Sequence, residues 1–357
     1  MEKLNSVIKR IGPVDGGSFA YTQKRLDSLT KPLGSLGQLE EIAKHLVAIT
    51  GKENPSIKNK VIFTLAGDHG VVEERISAYP KEVTPQMVYN FLRGGAGINV
   101  LAKHIGAKVI VVDMGIAIKI QNSKFKIQNF KDKKINFGTK NFTKGPAMTR
   151  EEAIKSIEVG IELVEEELKT GEGIHLLGTG DMGIGNTTAS SAITAVITSK
   201  PIEKVTGRGT GIDDEKLRNK IKIIKKALEL NKPNPKDAID VLSKVGGFEI
   251  GGLAGIMLAG AAYKIPVVVD GFISGAAALI ACALQPITRD YLIAGHCSQE
   301  PGHKIQLNWL GLKPILNLDL RLGEGTGAVL AMNLVEASIK ILTEMATFDS
   351  AGVSKKC

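Results

Sequence analysis

The sequence predicts an α/β fold: a three-layer α/β/α arrangement around a mostly parallel, Rossmann-like sheet, with a small helical domain built from both chain ends. Three observations lead there. Short apolar, β-branched runs alternate with amphipathic stretches through the middle of the chain, and strands separated by helices run parallel with helices on both faces. The first 55 or so residues, and the tail after Gly325, show helical periodicity without a strong strand. Glycine-rich segments follow several of the apolar runs, at the carboxyl ends of strands where such sheets bind ligands. The small domain is expected over residues 1–55 with 326–357, and the large α/β domain over 56–325.

The candidate strands, in order, are Val61–Leu65, Val109–Val112, Ile174–Leu177 and Val267–Val269, with weaker candidates at Leu292–Ala294 and Ile315–Leu318. Thr149 and Glu152 form a T-x-x-E capping box that opens a helix running to about Lys169. Asp213 to Leu230 is a charged amphipathic helix, and Thr326 to Met345 is another. The least polar region, Ile250 to Pro286, is interrupted by Lys264, Pro266 and Asp270 and rich in Gly and Ala. Its uncharged stretches fall short of the ~20 apolar residues of a membrane span or carry Gly, Pro and polar breaks, so a buried helix, strand and helix are expected there. No internal repeat is evident.

Apolar residues make up 43% of the 357 residues, enough for a packed core and too many for disorder. Aromatics are only 4%, which argues against a single-strand nucleic-acid binder built on stacking platforms. The net charge of +9 suits an anionic partner without choosing among phosphate esters, nucleic acid or a membrane surface. Much of it is local: Lys119 to Lys144 holds eight lysines, one acid (Asp132) and four interleaved phenylalanines, Phe125, Phe130, Phe137 and Phe142. That run is either a nucleic-acid patch or a solvated excursion anchored by its phenylalanines, and the second reading is favoured. Three cysteines, Cys282, Cys297 and Cys357, do not make a disulfide framework and fit a reducing, cytoplasmic setting. The first residues lack the apolar core of a signal peptide.

Five segments could carry chemistry. Gly178 to Thr188 opens a helix after a strand. Its glycines allow close backbone approach, the helix start offers N–H groups to an anion, and Asn186, Thr187 and Thr188 add donors. It contains a G-x-G-x-x-G pattern, but Asp181 inside it would repel a pyrophosphate; the alternative is a tight strand-to-helix turn. Gly207-Arg-Gly-Thr-Gly211 brings Arg208 and open amides such as that of Gly209 to a possible phosphate, with Lys220 in the following helix; the alternative is a loop capped by Asp213. Arg321 to Gly327 sets Glu324 between two glycines. An acid flanked this way suggests close approach by a ligand, and partial burial would raise its pKa into a general base's range; the alternative is a helix N-cap acid. Asp68-His69 suits hydrogen-bonded structural roles better than a dyad, because neighbours on an extended chain point to opposite sides. His296 to His303 lacks the spacing of a zinc site.

Taken together these segments resemble the nicotinate-nucleotide–dimethylbenzimidazole phosphoribosyltransferase family of cobalamin biosynthesis. The matching pieces are Lys31 to Gly37, Gly67 to Gly70, Gly178 to Thr188, Asp240 to Phe248, Val269 to Phe272 and Arg321 to Gly325, in the family's order over nearly the whole chain. The resemblance implies transfer of 5-phosphoribose from nicotinate mononucleotide to 5,6-dimethylbenzimidazole or a related base, with inversion at C1′, by a cytoplasmic homodimer whose partner helps to close each site, without a metal or other cofactor. It implies Glu324 as general base, with Asp181 and Lys220 in the catalytic site. Asp181 stands where the family often has the longer Glu. Gly183, Gly185, Asn186 and Thr187 match the nucleotide-phosphate segment, joined by Arg208 and Gly209. Met182, Leu322, Tyr79 and Gln86 would line the base pocket.

Two other classes compete. A nicotinamide-dinucleotide oxidoreductase would explain Gly178 to Gly183 but leaves Glu324 idle. A non-catalytic nucleotide or nucleic-acid binder would explain the basic charge and predicts salt-dependent binding without turnover. A pyrophosphate-dependent phosphoribosyltransferase ranks lower, since Asp213-Asp214 do not follow an apolar run.

Overall fold

The computed structural model describes residues 1–120 and 129–354. Six strands form one sheet: β1 (Lys60–Gly67), β2 (Lys108–Gly115), β3 (Phe130–Asp132), β4 (Leu176–Met182), β5 (Val267–Val269) and β6 (Leu292–Ala294). Every neighbouring pair is parallel, in the order β3-β2-β1-β4-β5-β6. This is the doubly wound order of nucleotide-binding sheets, whose direction of growth reverses between β1 and β4. The expected α/β/α fold is therefore present.

Strand side chains alternate between two hydrophobic clusters. Val61, Phe63 and Leu65 of β1 join one cluster, while Ile62 and Ala66 join the other; the period of two does this without further instruction. The first face is covered by helices Arg150–Leu168, Phe248–Ala262 and Phe272–Leu284, with Asn186–Thr198 beside them. Gly160 and Gly255 let two of these helices touch backbone to backbone, where any Cβ would collide with the facing chain. The capping box at Thr149 forms in full, with Glu152 N donating to Thr149 Oγ1 at 3.1 Å and Thr149 N donating to Glu152 Oε2 at 2.8 Å.

The second face carries Ser18–Ser28, Gln38–Thr50, Val83–Arg93, Gly97–His104 and Thr326–Glu344. The two chain ends meet here: Thr30 N donates to Ala346 O at 3.0 Å, and Leu29 bridges Thr347. The first helix, Glu2–Arg10, crosses to the opposite face, where Lys3 pairs with Glu165. Thr326–Glu344 is the one helix among the described residues with the length and composition to cross a membrane, and its apolar side is packed into the second cluster.

Three details depart from expectation. The third candidate strand is shifted towards its C-terminus, so that Gly178 to Met182 are strand and not loop. Residues 315–318 form no strand; Leu316 makes a single bridge to His296 beside β6. The basic run contributes the short edge strand β3, whose Lys131 pairs with Glu166 at 2.8 Å, as does the following Lys133 at 2.5 Å. Phe125 and the residues around it lie outside the described residues.

Candidate active site

The carboxyl ends of β4, β5 and β6 open onto a cavity of about 370 Å³. Asp181, Met182, Gly183 and Ile184 come from the end of β4, and Asn186 and Thr187 from the helix after it. Gly271, Phe272 and Ile273 follow β5, while His296, Ser298 and Glu300 follow β6. Tyr79, Val83 and Met87 close one side, Gly209 and Thr210 another, and the Arg321 to Glu324 turn a third.

Glu324 sits on a strained turn. Its φ is +64°, between Gly323 at +79° and Gly325 at +101°, and only the glycines enter this region freely. The turn is held from below: Glu324 N donates to Asp181 O at 3.2 Å, and Thr64 Oγ1 donates to Glu324 O at 3.0 Å. The side chain is 4% exposed and does not cap its own helix. It reaches instead to the start of Gly97–His104, where Ile98 N donates to Oε2 at 3.0 Å. Burial raises the Glu324 carboxyl above the ordinary carboxylate range, opposed by the amides of Ile98 and Gly97. A carboxylate so placed can take a proton from a ligand in the cavity.

Asp181 is buried, with Asn186 Nδ2 donating to Oδ2 at 3.0 Å and no hydrogen-bond partner for Oδ1 among the described residues. Burial, and then the charges of Asp270 and Glu249, push its carboxyl well above the usual range. Lys220 is buried on Asp214–Asn231 and lies beneath the cavity wall; its Nζ donates to Thr187 Oγ1 at 2.8 Å and to Gly207 O at 3.3 Å. Burial lowers its pKa to about 8, with Glu300 opposing. Glu300 in turn accepts from Gly209 N at 2.7 Å. Gly185, at φ +96°, is the N-cap of Asn186–Thr198, a helix with no side-chain cap at its start.

Four of the sequence-predicted residues do not line the cavity: Lys220 and Gly185 stand directly behind residues that do, while Arg208 and Gln86 lie elsewhere. Arg208 turns outward to Asp214 and to Ile212 O. Gln86 occupies the exposed side of Val83–Arg93, while Val83 and Met87, one helical turn apart, face the cavity. Asp68 and His69 are hydrogen-bonded behind the site: Ala117 N donates to Asp68 Oδ2 at 2.8 Å, and His69 Nε2 lies 2.6 Å from Glu249 Oε1. A Cβ on Gly183 would meet the His69 ring, and one on Gly185 would meet the His69 Cβ. His303 Nδ1 accepts from Ser298 N at 2.9 Å, and burial drops its pKa to about 3. Phe272, His296, Ser298, Glu300 and Arg321 line the cavity and were not among the expected site residues; all five fall in segments the sequence singled out, Val269 to Phe272, His296 to His303, where only zinc ligation was weighed, and Arg321 to Gly327.

A doubly wound sheet with a buried, raised-pKa carboxylate and an uncapped helix N-terminus at its carboxyl edge defines an enzyme site for a small anionic ligand. Residues 11–353 match the family model described as Phosphoribosyltransferase. The nicotinate-nucleotide–dimethylbenzimidazole phosphoribosyltransferase of Geobacter sulfurreducens is 58% identical over 99% of both chains. That of Chloroflexus aggregans is 54% identical over 100% of this chain and 99% of its own. A crystal structure of CobT from Thermus thermophilus superposes with a TM-score of 0.90 at 47% identity, covering 95% of this chain and 100% of that one. The chain belongs to the nicotinate-nucleotide–dimethylbenzimidazole phosphoribosyltransferase family.

Proposed function

We propose that the protein transfers 5-phosphoribose from nicotinate mononucleotide to 5,6-dimethylbenzimidazole or a closely related base, giving α-ribazole 5′-phosphate and nicotinate for the lower ligand of cobalamin. The observation that carries this reading is Glu324: a buried carboxylate with a raised pKa, held at one end of a cavity whose neighbouring walls are Tyr79, Val83, Met87, Met182 and Leu322. A largely apolar wall beside a buried carboxylate suits a flat heteroaromatic ring with a single proton to lose.

The chemistry balances without a further reactant. The unprotonated ring nitrogen of the benzimidazole attacks C1′, and the bond from C1′ to the pyridinium nitrogen breaks. Nicotinate leaves as a neutral ring nitrogen, and the other ring N–H of the acceptor passes its proton to Glu324. Attack opposite the leaving group converts a β-linked nucleotide to an α-linked one. Asp181 is assigned to the positive charge that develops on the ribose. The start of Asn186–Thr198, with Gly183, Gly185, Asn186 and Thr187, is assigned to the donor phosphate. Lys220 backs it through Thr187, and Gly209 lies beside it. Arg208 could join only by leaving Asp214.

Tyr79 and Leu322 stay 53% and 60% exposed although they line the cavity, so a second copy of the chain closing over this rim fits the homodimer. The basic balance is assigned to the phosphate ester and not to nucleic acid. A phosphorylated donor that does not cross bilayers unaided suits a cytoplasmic enzyme. The test is to incubate the protein with nicotinate mononucleotide and dimethylbenzimidazole and follow both products by chromatography and mass spectrometry. Equimolar nicotinate and an α-configured ribazole phosphate are expected. A folded protein that releases no nicotinate with any of a panel of bases would refute the reading.

A further inference from the structure

Asp270 directly follows β5 and is 1% exposed. It does not line the cavity, although its neighbour Gly271 does. Both of its carboxylate oxygens are committed to one segment: Gly325 N donates to Oδ2 at 3.2 Å, and Ala328 N donates to Oδ1 at 2.9 Å. These amides belong to the start of Thr326–Glu344, whose N-cap is Gly325 and has no side chain to offer. Asp270 thus caps that helix from a different element.

The segment it caps is the one that needs holding. Gly323, Glu324 and Gly325 are three consecutive left-handed residues, and a non-glycine residue stays there only where its surroundings over-determine it. Thr64 and the Asp181 carbonyl each supply one hydrogen bond to the Glu324 backbone. Asp270 supplies two, and a carboxylate accepting from amides makes the stronger kind. The charged or titratable groups facing it are Glu324, Asp181 and His296, whose Nε2 is 3.9 Å from Oδ1.

We propose that Asp270 is a positioning residue for the transfer reaction: by anchoring the Gly325 and Ala328 amides it keeps Glu324 left-handed, with its carboxylate at the Ile98 amide and the acceptor end of the cavity. The proposal rests on Glu324 being the base. It is tested by measuring kcat, and KM for both substrates, in the wild type, Asp270→Ala, Asp270→Asn, Glu324→Ala and the Asp270→Ala/Glu324→Ala double variant. Asp270→Ala is expected to lower kcat roughly a hundredfold, with the donor KM within about threefold of the wild type. On the residual rate of Glu324→Ala the same exchange is expected to change kcat by less than about threefold, because its effect runs through a group already removed. Asp270→Asn keeps one acceptor oxygen and should fall in between, which preserves the test if the alanine variant does not fold. Losses that multiply in the double variant, or a loss confined to the donor KM, overturn the proposal. A wild type without turnover overturns the reading of Glu324 itself, and the proposal with it.

Discussion

Replacing Glu324 by Gln keeps the shape of the side chain and removes its capacity to take a proton. General bases contribute about 10²–10⁴ in rate, so kcat on dimethylbenzimidazole should fall about 10³-fold, or about 4 kcal/mol of barrier. The donor KM should stay within about threefold, since the groups assigned to the donor phosphate lie on another element. Two further variants separate chemistry from folding. Glu324→Ala keeps the left-handed backbone of a non-glycine residue, whereas Glu324→Gly removes that strain, about 1–2 kcal/mol. Both lose the acceptor at the start of Gly97–His104, worth about 1 kcal/mol. Glu324→Gly should therefore be the more stable of the two by about 1 kcal/mol in denaturant unfolding, and both should be nearly inactive. Product formation is read by chromatography at saturating substrates. A Glu324→Gln enzyme above a tenth of wild-type kcat removes Glu324 as the base, and an alanine variant as stable as the glycine variant removes the strain argument.

The pH profile of kcat should carry an acid limb above the ordinary carboxylate range: Glu324 works ionised, its pKa is raised by burial, and rate is lost as pH falls through that raised value. An acid limb at the value of a free glutamate would contradict this. Lys220, lowered to about 8, should hold its proton below that pH and lose it above, so the donor KM should be flat below about 8 and climb beyond it. In Lys220→Ala the donor KM should be raised roughly tenfold or more at neutral pH and that climb should vanish. Gly180→Ala should abolish most turnover, because a Cβ there would run into the Glu324 carbonyl and displace the turn; circular dichroism would check that the sheet survives.

Much of the sheet was legible because alternation and burial agree along it. Val61 to Leu65 and Val109 to Val112 are unbroken β-branched or apolar runs, and both are strands. The strand β4 was misplaced because Gly178 and Gly180 weaken its signal. The reason for those glycines is tertiary: a Cβ on Gly178 would lie 2.6 Å from Met332 Cε, and one on Gly180 would meet the Glu324 carbonyl. The apolar run Ile315–Leu318 looked like a strand because it lies along β6, where Ile315 N donates to Ala294 O at 3.0 Å. Glu324 and Asp181 stood out through their glycines. Gln86 did not separate from Val83 and Met87, because only the phase of a helix beginning at Val83 decides which of them faces inward. Glu300 sits inside the His296 to His303 segment, whose only cue was a run of possible zinc ligands; its bond to Gly209 is set by the fold.

The acids of the site make one argument together. Asp181, Asp270 and Glu324 are all buried, and burial raises each of their carboxyls above the usual range, Asp270 to about 7. Asp181 and Asp270 are raised further by the charge of neighbouring carboxylates, Glu324 among them. Such crowding destabilises the empty protein, because the folded state resists ionising groups that the unfolded chain ionises freely. That part of the stability is present at low pH and lost as pH rises towards these raised values. The same crowding becomes favourable when a cation arrives. A pyridinium donor, and still more the oxocarbenium-like charge at C1′, would meet a cluster short of positive partners. The positive counterpart is Lys220, beneath Thr187, with the uncapped start of Asn186–Thr198, where Asn186 Nδ2 donates to Asp181 Oδ2. A site that carries both signs can hold a ligand with a pyridinium ring and a phosphate ester, as nicotinate mononucleotide has.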